Sequence, residues 1–472
     1  MKMLKIIPVG LAAVSVMMTS VVSCRNKNSS SSEVNSLYKT EDEISADESE
    51  EEAKGEVSAD ISGQTITWLA DYDLNPQNGQ EKSVALSLFE DIYGASINYV
   101  YAGADDKIDT LSAMLLNGDE VDMFPYEWDA VPNGVMKEQY QPLDPYFDIM
   151  GVNDGLWDDM SDVIDMFEYN GEHYVMPYAL SEPLLIIYSR SLMKAEKLQD
   201  PFELYLDGKW DWDAMMSMMK DFVSNAGDGQ TRYGIKGSFG QAVIQSTGHT
   251  VVNYDNGVFF NNINDPEVEK AELFMQKIAS EKLYSPEWVS CFPDDSSTLF
   301  FAASDWALGA SNSKNPDADI MIVPFPKAAD ADDNYISCNF NARMLVKGSQ
   351  KGEAVAAYIK CERLASVHEE YKALAKKEAL AVPKTAAFVT EEQYDALQSF
   401  LDTSKVTPVF DFGYGMGERM YGDGDYTYET RGVMNNLTTA FLEDNEAVDS
   451  WAELRDAWTS VIDEEADIFN NK

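Results

Sequence analysis

The sequence predicts a two-lobed α/β protein whose sheets are mostly parallel. Between residues 63 and 124, stretches with strand and helix character alternate at the spacing of βαβ units, which place parallel strands side by side. Residues 61–472, roughly 410 in all, exceed an ordinary domain and suffice for two lobes of about 200 residues each. Hydrophobic residues make up 45% of the chain, enough to form a core in each lobe.

The first five elements are predicted from their apolar periods. Alternating residues with β-forming side chains indicate strands, and apolar residues three or four positions apart indicate helices. Gly94 and Gly118 directly follow the two helical stretches and are typical stop signals. The predicted strands are residues 63–69, 96–101 and 121–124, and the predicted helices are residues 82–93 and 107–117.

The later elements continue the α/β pattern. Four methionines on the helix predicted after Trp212 are interpreted as core residues, since methionine commonly fills cores. The predicted strands are residues 184–189, 306–310, 319–323 and 344–347. The predicted helices are residues 212–223, 266–280, 297–303, 350–365, 429–441 and 449–469.

Residues 1–23 are predicted to be a lipoprotein signal peptide. Two lysines precede an apolar run over residues 6–22, which is short for a membrane-spanning helix. The run ends in small residues before Cys24, and this arrangement resembles the lipobox of bacterial lipoproteins. An ordinary secretory signal with a chance cysteine is the alternative. The lipobox resemblance implies a lipid on Cys24 that anchors the chain to the outer face of the cell membrane.

Residues 24–60 are predicted to be a disordered acidic and serine-rich tether. Residues 29–32 are four serines, and residues 41–60 hold ten carboxylates against one lysine. Such a segment buries too little apolar surface to offset its ordering entropy. We therefore expect the tether to hold the globular part away from the membrane; an acidic interaction tail is the alternative.

The charge of the chain excludes one class of partner. The formal net charge is -47, with 82 acidic against 35 basic residues. Nucleic acid is not expected as a partner, because phosphate binding needs a basic surface.

The cysteine and histidine pattern predicts neither a metal site nor a cofactor. The four cysteines form no Cys-x-x-Cys pair, and the three histidines are scattered. Pairing of Cys338 with Cys361 is left open. Residues 423–429 alternate carboxylates in the manner of a calcium loop but lack the glycine and length of an EF-hand.

Five segments together resemble the family 1 extracellular solute-binding proteins, the group that includes maltose-binding protein. Each short motif is weak alone, but their order and spacing cover nearly the whole globular chain. The segments are residues 66–69 with 89–94, 116–123, 135–144, 167–178 with 185–190, and 299–307.

The chain also departs from the family pattern. The fourth segment is the most specific, yet Met176 stands where the family has glycine, and Ser189 where it has asparagine. Glu120 and Val121 replace the usual proline region of the second segment, and the fifth segment lacks its glycine.

The resemblance implies a type II periplasmic-binding-protein-like fold with two lobes joined at a hinge. Lobe 1 would comprise residues 61–180 and 334–401, and lobe 2 residues 184–326 and 402–472. It also implies a monomer that captures a carbohydrate, expected to be an oligosaccharide, between the lobes and delivers it to the permease of an ABC importer, without catalysis or cofactor. Closure of the lobes over the ligand would be a hinge motion.

Candidate ligand-binding residues follow from the chemistry of sugars. Aromatic rings cover the apolar faces of a sugar, and carboxylates, amides and arginine bind its hydroxyls. In α/β folds such groups lie at the carboxyl ends of strands. This rule selects Asp71, Tyr72, Tyr126, Trp128 and Asp129, and the resemblance places ligand contacts in the loop of the last three as well.

The remaining candidates lie beside the hinge crossings or in aromatic loops. By resemblance, Trp306 corresponds to a ligand-stacking position. Packing of the tryptophans and helix capping by the aspartates are the structural alternatives. The further candidates are Tyr178, Glu182, Asn339, Arg343 and Tyr414.

Three other functions are alternatives to carbohydrate transport. The same fold serves non-sugar solutes, so a binding protein for a polyamine or another cation is the main alternative. A strongly acidic cleft would favour a cation, and several aromatic platforms favour a sugar. A secreted glycoside hydrolase is disfavoured because neither a Gly-x-Ser-x-Gly nor a His-Glu-x-x-His motif occurs. A surface-structural lipoprotein would lack an interlobe cleft.

Overall fold

A computed structural model describes most of the predicted globular part. The described residues are 60–77, 82–293, 295–384, 387–422, 431–442 and 450–471. The predicted signal peptide, Cys24, the tether up to residue 59 and the carboxylates of residues 423–429 lie outside them. Within the described ranges, the helices are too short or too polar to cross a membrane.

The elements alternate between strands and helices along the chain. The strands are β1 (Thr65–Ala70), β2 (Ser96–Tyr101), β3 (Met123–Pro125), β4 (Glu168–Tyr169), β5 (Glu172–His173), β6 (Met176–Ser181), β7 (Leu185–Ser189), β8 (Tyr233–Gly237), β9 (Val252–Asp255), β10 (Val258–Asn261), β11 (Tyr284–Ser285), β12 (Thr298–Ala303), β13 (Ile320–Pro324), β14 (Tyr335–Ile336), β15 (Asn339–Leu345) and β16 (Thr407–Pro408). The helices are α1 (Val84–Tyr93), α2 (Lys107–Asn117), α3 (Asn133–Met136), α4 (Phe147–Met150), α5 (Ser161–Met166), α6 (Arg190–Glu196), α7 (Pro201–Leu206), α8 (Trp212–Ser224), α9 (Gly240–Gln245), α10 (Pro266–Ser280), α11 (Trp306–Lys314), α12 (Gly352–Val367), α13 (Glu369–Leu380), α14 (Glu391–Phe400), α15 (Gly432–Thr439) and α16 (Trp451–Asn470).

The predicted βαβ start of the chain is confirmed. In α1, the Ser83 hydroxyl accepts a hydrogen bond from the N–H of Leu86, which satisfies a free donor of the first turn. Gly94 ends the helix with φ 62°, a conformation that favours glycine. The apolar face of α1, including Phe89, packs against α12 and the first sheet.

Two five-stranded sheets form the cores of the two lobes. The first has the order β2-β1-β3-β15-β6, and the second has the order β11-β8-β12-β7-β13. In each sheet four strands run in the same direction and one, β15 or β7, runs against them. The prediction of mostly parallel sheets is therefore confirmed.

The chain passes between the sheets at one edge of each. Residues 182–184 join the end of β6 to the start of β7, and residues 325–338 join the end of β13 to the start of β15. The two crossings are hydrogen-bonded to each other, since Leu184 N–H donates to the Ser337 carbonyl at 2.8 Å and Phe325 N–H donates to the Leu184 carbonyl at 3.2 Å. The carboxyl ends of the parallel strands in both sheets therefore lie on the side of the crossings.

Two elements of the second lobe differ from the sequence prediction. Residues 297–303, predicted as a helix, contain the strand β12, and residues 306–310, predicted as a strand, begin the helix α11. β12 is the central strand of its sheet and all six of its residues are buried. A strand buried on both faces is uniformly apolar, so its periodicity does not distinguish it from a buried helix.

The predicted division of the chain at residue 401 is also corrected in one respect. Helix α14, assigned by the prediction to lobe 1, packs against β13 of the second sheet. Its Gln393 donates to the Ile320 carbonyl at 2.6 Å and exchanges hydrogen bonds with Asn312. The chain thus passes to lobe 2 before α14 rather than after it.

A loop after β16 is anchored by the buried carboxylate of Asp411. The backbone N–H groups of Val251, Val252 and Gly413 donate to it at 2.6, 3.1 and 2.9 Å. Burial raises the pKa of this carboxyl to about 6, although the three donors counteract the increase. Asp411 thereby ties residues 411–415 to the β9–β10 hairpin.

The remaining cysteines are free. Cys291, Cys338 and Cys361 are buried thiols, so the pairing of Cys338 with Cys361 left open by the sequence is not made. The methionines predicted to be core residues on α8 are buried, as expected. Among the described residues, no three histidine, cysteine or acidic side chains converge as a metal site would require.

Candidate functional site

The loops that follow the parallel strands carry most of the predicted site residues to one place. We call the carboxyl-end edges of the two sheets, where the crossings occur, the interlobe edges. The interlobe edge of lobe 1 carries Asp71 and Tyr72 after β1, Tyr126, Trp128 and Asp129 after β3, Glu182 after β6, and Asn339 at the start of β15. The interlobe edge of lobe 2 carries Trp306 after β12.

A buried lysine links the loops after β1 and β3. Lys107, in the first turn of α2, lies 3.2 Å from an Asp71 carboxylate oxygen and 2.6 Å from a Glu127 oxygen. Its side chain is 5% exposed, whereas those of Asp71 and Glu127 are 16% and 20% exposed. The single positive charge of Lys107 therefore pairs with two carboxylates, and both carboxylates remain partly exposed to solvent.

The electrostatics of this group show an excess of negative charge. Burial raises the pKa of the Glu127 carboxyl, Lys107 counteracts this, and the nearby charges of Asp71 and Glu182 raise it further. Burial alone would lower the pKa of Lys107, but the two carboxylates raise it above its ordinary value. Lys107 is thus held as a cation between Asp71 and Glu127.

The first crossing adds a carboxylate beside this group. Glu182 has φ 45°, a conformation uncommon outside glycine, and its carboxylate accepts from the side-chain amide of Asn339 at 2.7 Å. Glu182 lies in the first crossing and Asn339 directly follows the second, so the bond links the two crossings at the interlobe edge.

Arg343 lies beneath the site rather than at its surface. It is 5% exposed, and its guanidinium donates to Glu362 at 2.7 Å and to the Tyr72 hydroxyl at 3.3 Å. It also lies over the rings of Trp68 and Tyr178, 5.0 and 5.2 Å from their centroids. This arrangement supports Tyr72 from below.

Trp128 contacts the loop that Asp411 anchors. Its ring centroid is 4.6 Å from that of the buried Tyr414 and 5.9 Å from that of Tyr421. Gly415 permits this approach, because a Cβ there would stand 1.9 Å from the Val131 carbonyl oxygen. Trp128 is half-buried, so one part of the ring packs and another faces solvent.

The other aromatic and acidic candidates of this loop are mostly engaged within the protein. The ring of Tyr126 packs against Phe167, Phe340 and Phe410 at centroid distances of 5.2 to 6.4 Å. Asp129 accepts from the amide of Asn133 at 2.8 Å, and burial raises the pKa of its carboxyl.

Trp306 occupies the turn from β12 into α11. It is 38% exposed, and it follows Asp305, whose carboxyl has a pKa raised by burial. The Ser304 hydroxyl donates to Asp305 at 2.8 Å and helps to hold this turn. The correction of the two elements around Trp306 therefore places its indole at a helix N-terminus, on the interlobe edge.

Sequence reasoning did not select several residues that the structure places in or near the site. Glu127 lies between the selected residues Tyr126 and Trp128, so the rule that site residues follow the carboxyl ends of strands covers it as well. Lys107 lies 36 positions from Asp71, and only the packing of α2 against β1 brings them together. Trp288 follows β11, a strand of two residues that is too short to recognise from sequence.

Several solved structures share this architecture. A sugar transporter of Rhizobium etli in an open conformation is similar with a TM-score of 0.61 at 12% identity, over 84% of this chain and 99% of that chain. The galacto-N-biose/lacto-N-biose I-binding protein of Bifidobacterium longum has a TM-score of 0.58 at 10% identity, over 86% and 97%. A sugar-binding protein of Xanthomonas citri has a TM-score of 0.58 at 12% identity, over 86% and 98%. At these identities the similarity establishes the two-lobed fold.

The sequence itself identifies the family. The model of the bacterial extracellular solute-binding protein family matches residues 85–389, which is more than half of the chain. This chain belongs to that family, and the resemblance found from the sequence motifs is confirmed at that level. None of the curated proteins matches the sequence.

Proposed function

We propose that this chain is the solute-binding component of an ABC importer and that it binds a carbohydrate, an oligosaccharide, between its lobes. The observation that carries the proposal is the mixture of groups at the interlobe edges. Half-buried rings of Tyr72 and Trp128 and the exposed ring of Trp306 accompany the partly open carboxylates of Asp71 and Glu127. Rings suit the apolar faces of a sugar, and carboxylates accept hydrogen bonds from its hydroxyls.

The residues divide into two roles in this proposal. We assign direct contact with the solute to the partly exposed groups: Asp71, Tyr72, Trp128, Asp129, Glu182, Trp306, Asn339 and, in addition, Glu127. We assign support of these groups to Arg343, Tyr178, Tyr126 and Tyr414, because three of them are buried and the Tyr126 ring is packed among three others. The solute would close the lobes by contacting both edges.

A cationic solute such as a polyamine is the second candidate. Asp71 and Glu127 both contact Lys107, and the carboxylate of Glu182 lies within electrostatic range of Glu127, so these three carboxylates outnumber the cation of Lys107 at the lobe 1 edge. An ammonium group on the solute would neutralise it, and the rings would add cation–π contacts.

A thermal-shift series with the purified chain separates the two candidates. The series comprises malto-, cello-, xylo- and galacto-oligosaccharides, and putrescine and spermidine. A solute at 100 times its dissociation constant adds about 2.7 kcal/mol to the stability, which we expect to observe with one oligosaccharide series as a raised melting temperature. A rise with spermidine alone would overturn the carbohydrate assignment, and a rise with none would overturn both candidates.

We also propose that the protein is attached to the outer face of the membrane through a diacylglyceryl group on Cys24. Two acyl chains provide stable anchoring, since each buried methylene contributes about 0.8 kcal/mol. A position outside the membrane agrees with the extracellular family to which the chain belongs. The same proposal makes a membrane permease the partner of a monomeric chain.

Replacing Cys24 with alanine is expected to abolish lipid attachment, because the thiol is the acceptor of the diacylglyceryl group. Cells expressing the protein would be labelled with a fatty-acid analogue, and label in the purified protein would be measured. The Ser29→Ala variant, altered in the same segment, should keep full labelling. Label that persists in Cys24→Ala would contradict the proposed site.

A further inference from the structure

Two exposed aromatic residues lie on the interlobe edges, at the ends farthest from the crossings. The crossings use β6 and β15 in the first sheet and β7 and β13 in the second, so the opposite edge strands, β2 and β11, are the most distant from them. Tyr101 is the last residue of β2, and Trp288 follows β11 by three positions. They are 69% and 72% exposed, the highest values among the described tyrosine, tryptophan and phenylalanine side chains of the exposed class.

Single exposed apolar residues are common on proteins and have no meaning alone. These two are distinguished by their equivalent positions, one on each lobe, at the same end of the two rows of loops that carry the proposed site. Trp306 lies in the lobe 2 row as well, since the order of its sheet is β11-β8-β12 before the crossing strands. The exposed tryptophans Trp306 and Trp288 therefore lie in the same row of loops on lobe 2.

The loops of both residues contact their own lobes. In the Trp288 loop, Glu287 pairs at 2.8 Å with Lys236, a 4% exposed residue of β8. On the other lobe, the Tyr101 hydroxyl lies 3.9 Å from the position that a Cβ on Gly103 would occupy, so its ring extends over the loop after β2. Tyr101 is paired with Ala70 in the register of β2 and β1, and Asp71 directly follows Ala70. The outer residue is therefore continuous with the lobe 1 group.

We propose that Tyr101 and Trp288 form an outer aromatic subsite that binds the distal units of an oligosaccharide. The inference rests on the proposed function and extends it, because it requires a chain longer than the inner groups alone can contact. A sugar presents an apolar face on each unit, and an exposed aromatic ring, which has few rotatable bonds, covers such a face with little loss of conformational entropy. The subsite would lie at the mouth of the cleft and select for chain length.

The test compares affinities for short and long members of one series. Isothermal titration calorimetry would use the purified chain with the two-unit and six-unit members of the malto-, cello-, xylo- and galacto-oligosaccharide series. For the series that binds, we expect the six-unit sugar to bind about tenfold more tightly than the two-unit sugar. The double variant Tyr101→Ala, Trp288→Ala should lose this gain and keep the affinity of the native protein for the two-unit sugar.

The controls separate failure of the subsite from failure of the proposed function. Leu206→Ala, which alters a side chain that is 62% exposed on α7, should leave the affinity for both sugars unchanged. The melting temperature of the double variant should stay at the native value, since both rings are largely exposed. Equal affinity of the native protein for short and long sugars, or an equal loss for both in the variant, would overturn the outer subsite while the carbohydrate function stands. Binding of no oligosaccharide would overturn both.

Discussion

Replacing Asp411 with alanine is expected to lower the free energy of unfolding by about 3 kcal/mol. The change leaves the N–H groups of Val251, Val252 and Gly413 buried without an acceptor, and each unsatisfied donor costs roughly 1–3 kcal/mol. Relief of the buried charge offsets part of that sum. Chemical denaturation of the purified variant, followed by tryptophan fluorescence, measures the difference. The loop contacts Trp128, so solute binding should weaken as well.

Two control variants show whether the loss of stability in Asp411→Ala comes from the missing hydrogen-bond acceptor. At about pH 4, where the native carboxyl is itself protonated, Asp411→Asn keeps a carbonyl acceptor and neither protein carries a buried charge, so the variant should remain within about 1 kcal/mol of the native protein. Asp402→Ala removes a half-exposed carboxylate that also accepts a backbone N–H, from Ser404 at 3.1 Å, and should cost less than about 1 kcal/mol. A loss in Asp411→Ala no larger than that of Asp402→Ala would show that the anchor contributes little.

The stability of the native protein relative to Asp411→Asn should depend on pH, and the pKa of Asp411 determines the sign. Burial raises the pKa of Asp411 to about 6, above the unfolded value of about 3.9, so the folded protein binds a proton in this interval that the unfolded chain does not. The contribution of Asp411 to stability is therefore complete below about pH 4 and is lost as the pH rises through 6. The stability of the native protein relative to Asp411→Asn should fall over this range by roughly 3 kcal/mol.

The part of the fold that the sequence predicts is the part with clear local periods. β1 to β3 and α1 and α2 alternate cleanly, and glycines stop the helices. The prediction for β12 was wrong because a central strand is apolar on both faces and has no alternating pattern. The start of α11 was in turn predicted as a strand. The family resemblance implied a lobe boundary at residue 401, which assigned α14 to lobe 1, and no local pattern in residues 391–400 shows which sheet the helix covers.

The candidate site was predictable to the extent that topology alone determines it. Side chains after parallel strands meet at one edge whatever their identity, and this rule selected Asp71 and Trp128 correctly as neighbours of that edge. The ion pairs of Lys107 depend on how α2 packs beside the loops that follow β1 and β3, and no local sequence pattern encodes this packing. Burial of Arg343 likewise follows from Glu362, a residue of α12 brought beneath it by packing.

Replacing Trp306 with alanine is expected to weaken binding of the oligosaccharide by about 30-fold. A sugar face that covers roughly 80 Å² of the indole contributes about 2 kcal/mol at 25 cal/mol/Å², and the alanine variant loses this contribution. Because the ring is 38% exposed and begins a helix, the free energy of unfolding should change by less than about 1 kcal/mol. Calorimetric titration of native and variant protein measures the effect.

Trp306→Phe retains a smaller ring and should lose only part of the affinity, whereas Leu206→Ala should lose none. The position of Trp306 leads to a second readout, because a solute closes the lobes only through contacts it makes in the closed state with both of them. Trp306 is the inner aromatic contact that we propose on lobe 2, so the alanine variant should also show less compaction by X-ray scattering when the solute is saturating. Full compaction together with native affinity in Trp306→Ala would mean that the solute reaches lobe 2 elsewhere, and the assignment of Trp306 would then be wrong.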